Sequence, residues 1–290
     1  MRVTEARLME IAQQGVGNAR DRAAQAGGEV STGVHVAVPS DDPVAWAEGA
    51  RAASRQTMST QRGDSIARSR DNLNEAERLY SDVGSWLSRA QQIAVQMSNG
   101  TLDASQRSAA AIEVQGLHDS ALAAANRQGT DGNYLLGGEL GTTAPFTAGG
   151  QFVGGTTERR INIAEGEQSS VTTTGKALTA ASGVDVLGSF LALRDALNAN
   201  DQTAVRISIG SLTSSVTQLA DAQADVGYKM TALDDAEATR QTFEQNLAQT
   251  HARAVEADPI TAAADFTRAK NALDAASAIA QQIVTLTQVH

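Results

Sequence analysis

Apolar residues recur every three or four positions between Ile66 and Met97, the spacing of one face of a long α-helix. Positions seven residues apart, and the positions between them at spacings of three and four, hold apolar or small residues, with Ser69 as the exception. They are Ile66, Leu73, Ala76, Tyr80, Val83, Leu87, Ala90, Ala94 and Met97. Asn99-Gly100 supplies a stop, with the glycine expected in the left-handed conformation. The pattern predicts a helix of over four heptads, about 48 Å long at 1.5 Å per residue.

A second helix is predicted to fold back on the first. Asp103 and Gln106 have the spacing of a capping box, and a narrow seam of small residues follows them. The seam is Ala110, Val114, Leu117, Ala121 and Ala124. Helical periodicity returns later in the chain, at Phe190, Leu193, Leu197, Leu212, Val216, Leu219, Val226, Met230 and Leu233. Pro259, with Asp258 before it as a cap, is predicted to open the last helix.

Between these helices the chain is rich in Gly and Thr, and it contains two short segments typical of strands, 160–164 and 170–174. The expected fold class is therefore mainly α, a long antiparallel, coiled-coil helix bundle from both chain ends with a small β-rich domain inserted in the middle. Residues 137–186 form the predicted insertion. The two chain ends are 1–40 with 254–290, and the helical bundle is 41–136 with 187–253.

The two terminal helices carry apolar stripes with no obvious intrachain core to bury them. The stripes are Val3, Leu8 and Ile11 at one end, and Ile279, Ile283 and Leu286 at the other. Gly15, Gly17, Gly27 and Gly28 weaken the first helix by roughly 1 kcal/mol each where they lie inside it. We expect these ends to be mobile in the monomer and to pair and become buried between subunits on assembly.

Composition and charge exclude several classes of protein. The 33 acidic and 23 basic residues give a formal charge of −10, which argues against nucleic acid as the main partner. No run of about eighteen apolar residues exists, so no membrane insertion is expected. The N-terminal residues lack the apolar segment of a cleavable secretory signal. There is no cysteine, which excludes disulfides and thiolate metal sites.

Candidate chemistry is sparse. His35, His118, His251 and His290 are scattered without the spacing of metal ligands or a catalytic pair. The Gly-rich stretches contain no phosphate-binding motif, and Asp234-Asp235 is predicted to be solvated surface. Trp46 and Trp86 are predicted to be core anchors. We therefore predict no catalytic residue, no metal site and no cofactor.

The segment 31–45, STGVHVAVPSDDPVA, resembles the N-terminal signature of the flagellin superfamily. The residues that carry the resemblance are Ser31, Thr32, Gly33, Pro39, Ser40, Asp41, Asp42 and Pro43. Asp42 also has the position of an N-cap before Pro43. The opening residues 1–4, the turn 99–102 and the segment 133–138 resemble more specifically the family members that join hook to filament.

This resemblance implies a structural subunit of the bacterial flagellum that acts by self-assembly through its terminal helices and is no enzyme. The implied partners are identical subunits, a neighbouring hook-associated protein and flagellin, with a flagellar export chaperone before assembly. The implied location is extracellular, at the hook–filament junction, after export by the flagellar type III system. Three alternatives stay open: flagellin itself, a helical export chaperone or adaptor, and a helical enzyme with a β lid.

Overall fold

A computed structural model of the chain describes residues 2–164 and 166–288, and within them the predicted fold class is confirmed. The helices are α1 (Arg2–Thr32), α2 (Pro43–Met97), α3 (Ala104–Ala125), α4 (Val186–Asn198), α5 (Gln202–Val255) and α6 (Pro259–Gln288). The strands are β1 (Arg160–Ala164) and β2 (Glu167–Ser170). In this described part of the chain, no helix combines the length and the apolar character that crossing a membrane requires.

The chain separates into two compact units. The first unit comprises Met1–Met58 and Thr242–His290, and the second comprises Ser59–Gln241. Both predicted chain ends belong to the first unit, whereas the predicted insertion 137–186 belongs to the second. The predicted division into three parts stays a prediction.

The heptad seam of α2 forms the core of the second unit. Each apolar or small position predicted for it is buried, and Tyr80, Val83 and Leu87 are fully inaccessible to solvent. Ser69, the one polar position in the seam, is also buried, but its hydroxyl donates to the Ser65 carbonyl at 2.8 Å. The polar atom is thus satisfied within the helix, so the seam continues through it.

On α3 the seam departs from the prediction at one position. Leu117 is only partly buried, and the neighbouring His118 is the buried residue. The His118 Nδ1 lies 3.0 Å from an Asp119 carboxylate oxygen, which gives the ring a polar partner at its outer edge. Periodicity alone could not distinguish these adjacent positions, because a half-apolar imidazole can replace a leucine at a helix seam.

The turn between α2 and α3 contains the predicted capping box. The Gln106 amide donates to Asp103 Oδ1 at 2.8 Å, and the Asp103 amide donates to Gln106 Oε1 at 3.0 Å. The prediction of a left-handed Gly100 is wrong, since its φ is not positive. Instead, the Asn99 side chain accepts the Thr101 amide at 3.2 Å, so the amide side chain shapes the turn.

Arg107 is a buried cation that sequence patterns did not indicate. Its guanidinium donates to the carbonyls of Met97 at 3.1 Å and Asn99 at 2.9 Å, and to the Asn200 side chain. These carbonyls end α2, where the helix dipole favours a positive charge. Arg107 thereby joins the end of α2 to the α4–α5 turn, where Asn200 has a φ of 53°.

The β-rich insertion contains one antiparallel hairpin of β1 and β2. The first predicted strand is confirmed, but the second, 170–174, is wrong, because β2 ends at Ser170. Gly166 has a φ of 79° and lies in the tight connection between β1 and β2. Because this connection is short, the second strand begins earlier in the chain than predicted. Val171 is then free to be fully buried beside the helices.

Polar side chains fasten this insertion to the helices of its own unit. The Gln218 amide nitrogen donates to the Ala177 and Val184 carbonyls, each at 2.9 Å. The ammonium of Lys229, a nearly inaccessible residue, lies 2.5 Å from Glu158 and 2.7 Å from Asp225. 

The Tyr80 hydroxyl is a further link, 2.9 Å from the Thr173 hydroxyl. Burial raises the pKa of Tyr80 far above its ordinary range, so the phenol stays neutral and keeps its proton for this contact. The insertion and the helices therefore form one unit through hydrogen bonds that are shielded from water.

Replacing Leu87 by Ala should lower the free energy of unfolding by about 2–5 kcal/mol, because the side chain is fully buried and would leave a cavity. Urea denaturation followed by circular dichroism measures this. Val95→Ala on the same helix is the control, since Val95 is 59% exposed and should cost less than about 0.5 kcal/mol. Equal losses for the two variants would contradict the buried seam.

Candidate assembly surface

The first unit buries few apolar side chains. Among its described residues, those buried are Val36, Ala52, Leu247, Val255 and Ala262. Its exposed large apolar side chains are more numerous: Leu8, Ile11, Val30, Val38, Val44, Trp46, Met58, Phe243, Ile260, Phe266 and Ile279. An excess of exposed over buried apolar groups is typical of a surface that another protein covers.

Trp46 belongs to this exposed set, so its predicted role as a core anchor is wrong. It is 40% exposed and lies at an open, mostly apolar groove of about 470 Å³ with Val34, Val36 and Val255. Trp86, in the second unit, is partly buried against the core as expected. The difference arises because Trp46 follows closely on the start of α2, where the first unit offers little core to cover an indole.

Helices α1 and α6 pack against each other along a seam of mostly small residues. On α1 the partly buried positions are three and four apart: Met9, Ala12, Val16, Ala19, Ala23 and Ala26. On α6 they are Ala262, Ala269, Leu273, Ala276, Ala280 and Ile283, with Ala262 fully in the seam. Alanine lets the two backbones approach closely but removes little apolar area from water, so the pair is thin.

The flagellin-type signature forms the turn that ends α1. The Thr32 hydroxyl donates to the Gly28 carbonyl at 2.8 Å, and the Ser31 hydroxyl donates to the same carbonyl at 3.0 Å. Gly33 follows with a φ of 69°, a conformation that side chains with a Cβ disfavour, and its amide donates to Glu29 at 2.9 Å. Gly33 is thus the left-handed stop of α1.

The same turn is bonded to the connection between α5 and α6. The Ala257 amide donates to the Gly33 carbonyl at 2.9 Å, and the His35 amide donates to the Val255 carbonyl at 2.8 Å. The end of α1 therefore lies beside the start of α6, and the two helices run antiparallel. Gly49 on α2 also lies close to this connection, because a Cβ there would lie 2.5 Å from the Val255 side chain.

The two carboxylates of the signature cap the chain as it enters α2. Asp41 accepts the amides of Ala37 at 3.0 Å and Val38 at 3.1 Å, which folds the turn containing Pro39 and Ser40. Asp42 accepts the amides of residues 44 and 45 at 2.9 and 3.0 Å, so it is the predicted N-cap, and α2 begins at Pro43. The signature therefore specifies backbone geometry and holds no reaction centre.

Asp258 is the predicted cap of α6, and the structure confirms it. Its carboxylate accepts the Thr261 hydroxyl at 2.6 Å and the amides of Ile260 and Thr261 at 3.3 Å each. These hydrogen bonds, the hydroxyl first, hold the pKa of Asp258 below its ordinary range. The cap is therefore complete at neutral pH and is lost only as the pH falls through that lowered pKa.

The structure separates the residues predicted for the terminal stripes. Leu8, Ile11 and Ile279 are 53%, 61% and 57% exposed. Ile283 is partly buried in the α1–α6 seam, so the expectation that it has no intrachain partner is wrong. The side chains of Val3 and Leu286 lie outside the described residues.

Leu8, Ile11 and Ile279 share one face of the helix pair. Each stands one position before a seam residue, namely Met9, Ala12 and Ala280. A local twofold axis relates the two helices of an antiparallel pair. Residues that stand one position before a seam residue therefore face the same side of the pair, whichever helix they belong to. We call Leu8, Ile11 and Ile279 the apolar face.

A contact on the opposite side of the pair supports this assignment. Gly27 and Phe266 each stand one position after a partly buried residue, Ala26 and Asp265. A Cβ on Gly27 would lie 3.2 Å from the Phe266 ring, so these two positions do meet. Sequence periodicity also indicated the α6 side of this seam, at Leu273, Ala276, Ala280 and Ile283, but it missed the alanines of α1, although their spacing of three and four was a signal that could have revealed them.

No titratable cluster accompanies this surface. His35 lies 3.3 Å from a Glu29 oxygen, and His251 lines the groove beside Trp46. Asp234 of the second unit pairs with Arg70 at 3.2 Å. Within residues 2–164 and 166–288, no three His, Asp or Glu side chains are grouped as a metal ion would require.

These features define a class of protein: a helical subunit whose two chain ends pair through a thin seam and leave apolar side chains exposed. Residues 6–140 match the family described as the bacterial flagellin N-terminal helical region, which confirms the resemblance read from the signature. The chain is 31% identical over 156 residues to flagellar hook-associated protein 3 of Escherichia coli (strain K12). The match covers 53% of this chain and 49% of that protein, so the chain spans about half the length of the curated relative.

Solved structures share the fold. A flagellar hook-associated protein from Vibrio parahaemolyticus is 21% identical with a TM-score of 0.68, over 74% of this chain and 100% of that one. The flagellar junction protein FlgL from Legionella pneumophila is 15% identical with a TM-score of 0.55, over 63% of this chain and 97% of that one. The architecture is thus that of hook-associated proteins of the FlgL type.

Gly33→Ala should loosen the end of α1, because a Cβ at a φ of 69° costs roughly 1–2 kcal/mol. Trypsin should then cut faster after Arg20 and Arg22 in the full-length protein. Gly28→Ala is the matched control: Gly28 lies inside α1 with open space around it, so alanine should slow cleavage slightly. Faster cleavage in the control than in Gly33→Ala would overturn the assignment of Gly33 as the helix stop.

Proposed function

We propose that this protein is a structural subunit of the bacterial flagellum, located between hook and filament, that works by assembly and performs no reaction. The observation that carries the proposal is the apolar face of the α1–α6 pair. Leu8, Ile11 and Ile279 are more than half exposed although the two helices already pack on each other. Within the described residues, the parts of α2 and α5 that belong to the first unit do not cover these three side chains either, so we infer that a neighbouring molecule does.

The proposed place in the flagellum is supported by what the relatives are. The curated relatives are hook-associated proteins, and one structure with the same fold is a junction protein. We infer that the partners of this chain are identical subunits, a neighbouring hook-associated protein and flagellin. A flagellar export chaperone is the proposed partner before assembly, with export by the flagellar type III system.

Physical chemistry favours an assembly role for ends of this kind. A seam of alanines stabilises the helix pair only weakly, so the ends can be separated at low cost and threaded through a narrow channel. Burial of the larger side chains against neighbours then supplies the free energy that the monomer lacks. A head-to-tail contact between unlike surfaces produces a ring or helical layer of subunits.

Leu8→Asp combined with Ile279→Asp should abolish incorporation into flagella and therefore motility, because each carboxylate would be buried without a partner. The melting of the second unit should not change. Gln13→Asp combined with Gln281→Asp is the control, since both exposed glutamines stand one position after a seam residue, on the other side of the pair. Normal incorporation of the first variant, or failure of the control, would refute an assembly role for the apolar face.

Fluorescent labelling distinguishes the junction from the alternative that the chain is flagellin. A cysteine introduced at the exposed Val153 of the full-length protein can be labelled selectively, because the chain has no other cysteine. We expect one spot at the base of each filament and a copy number far below that of the filament subunit. Label along the whole filament would favour flagellin and contradict the junction.

A further inference from the structure

Helix α2 carries an exposed basic stripe within the first unit. Arg51, Arg55 and Met58 are separated by four and three positions, so they share one face of the helix. All three are exposed, and neither guanidinium has a partner among the described residues. Residues 49–63 contain three arginines and no carboxylate, and with the flanking Glu48 and Asp64 the stretch keeps a small excess of positive charge.

Helix α5 carries the opposite charge within the second unit. Asp221, Tyr228 and Asp235 are seven positions apart and share an exposed face, with Tyr228 76% exposed. Residues 207–236 contain four aspartates and one lysine. That lysine, Lys229, is buried and already paired, and neither Asp221 nor Asp235 has a partner among the described residues.

The spacing of the two stripes matches. Met58 and Arg51 are seven residues apart, as are Tyr228 and each of the two aspartates, a distance of about 10.5 Å along a helix. With Met58 against Tyr228, Arg51 therefore faces Asp221 in one helix direction or Asp235 in the other. Arg55, one turn from Met58, can then lie over the face of the phenol ring, to which a guanidinium is attracted.

We propose that the α2 stripe of one molecule binds the α5 stripe of a second copy of this chain. The inference rests on the proposed assembly function, and it names a contact that lies outside the apolar face of the terminal helices. Three properties support it: opposite charge, equal spacing and side chains of the kind enriched in protein interfaces, since Arg, Met and Tyr are favoured there. Because the two stripes differ, the contact is head-to-tail and can repeat from molecule to molecule.

Cysteine cross-linking tests the contact directly, since the natural chain contributes no thiol. Full-length Met58→Cys and Tyr228→Cys proteins with different tags are mixed at high concentration and oxidised mildly. We expect disulfide-linked dimers that carry both tags. Ile207→Cys replaces Tyr228→Cys in the control, because Ile207 is 68% exposed on the same helix and has no carboxylate seven positions away in either direction. The yield with position 228 should exceed that with position 207 about tenfold.

Charge reversal identifies the interaction that drives the cross-link. Arg51→Glu with Arg55→Glu, placed in the Met58→Cys protein, should reduce the yield about tenfold. Asp221→Lys with Asp235→Lys in the Tyr228→Cys protein should restore it, which misfolding of either variant could not do. Repeating the rescue with each lysine alone shows whether the two helices run parallel or antiparallel.

Equal yields at positions 228 and 207, an excess of dimers linked through two copies of position 228, or insensitivity to charge reversal would each overturn the proposal. Its failure is distinguishable from failure of the proposed function. If the protein cross-links as expected but is absent from the junction, the proposed self-contact is supported and the proposed location is refuted. If the protein reaches the junction but does not cross-link, the proposed location is supported and the proposed self-contact is refuted.

Discussion

The thin seam between α1 and α6 is the constraint on which the rest of the first unit depends. Alanines let the two helices lie close together, but they remove little apolar surface from water. Several larger apolar side chains of both helices stand beside the seam, as Leu8, Ile11 and Ile279 do, whereas Met9, Leu273 and Ile283 lie in it. A pair built in this way leaves large apolar side chains exposed, and this exposure is the basis of the assembly role proposed for it.

The second unit, in contrast, has a core of large buried side chains. Its helices bury large side chains such as Tyr80, Leu87 and Phe190 completely, and polar anchors fasten the β-rich insertion to them. Arg107 and Lys229 are buried cations whose partners are carbonyls in one case and carboxylates in the other. A well-packed second unit beside a thinly packed first unit is consistent with the proposed role of a subunit that folds first and assembles later.

The signature that resembles the flagellin superfamily acts through the backbone. Gly33 ends α1, Asp41 folds the turn that follows, and Asp42 opens α2. Hydrogen bonds from this turn to the α5–α6 connection bring the two chain ends side by side. Its residues thus determine where the assembly surfaces lie, although the apolar face itself is formed by other residues.

The sequence by itself determined the helices, their caps and the buried seam of α2, because these depend on local hydrogen bonds and on a period of three and four. It also indicated the family through residues 31–45. Only the tertiary structure decided that Ile283 lies in the α1–α6 seam while Ile279 faces outward, and that Trp46 is exposed while His118 is buried. Those outcomes depend on which neighbouring helix covers each position, and periodicity within one helix carries no information about its neighbour.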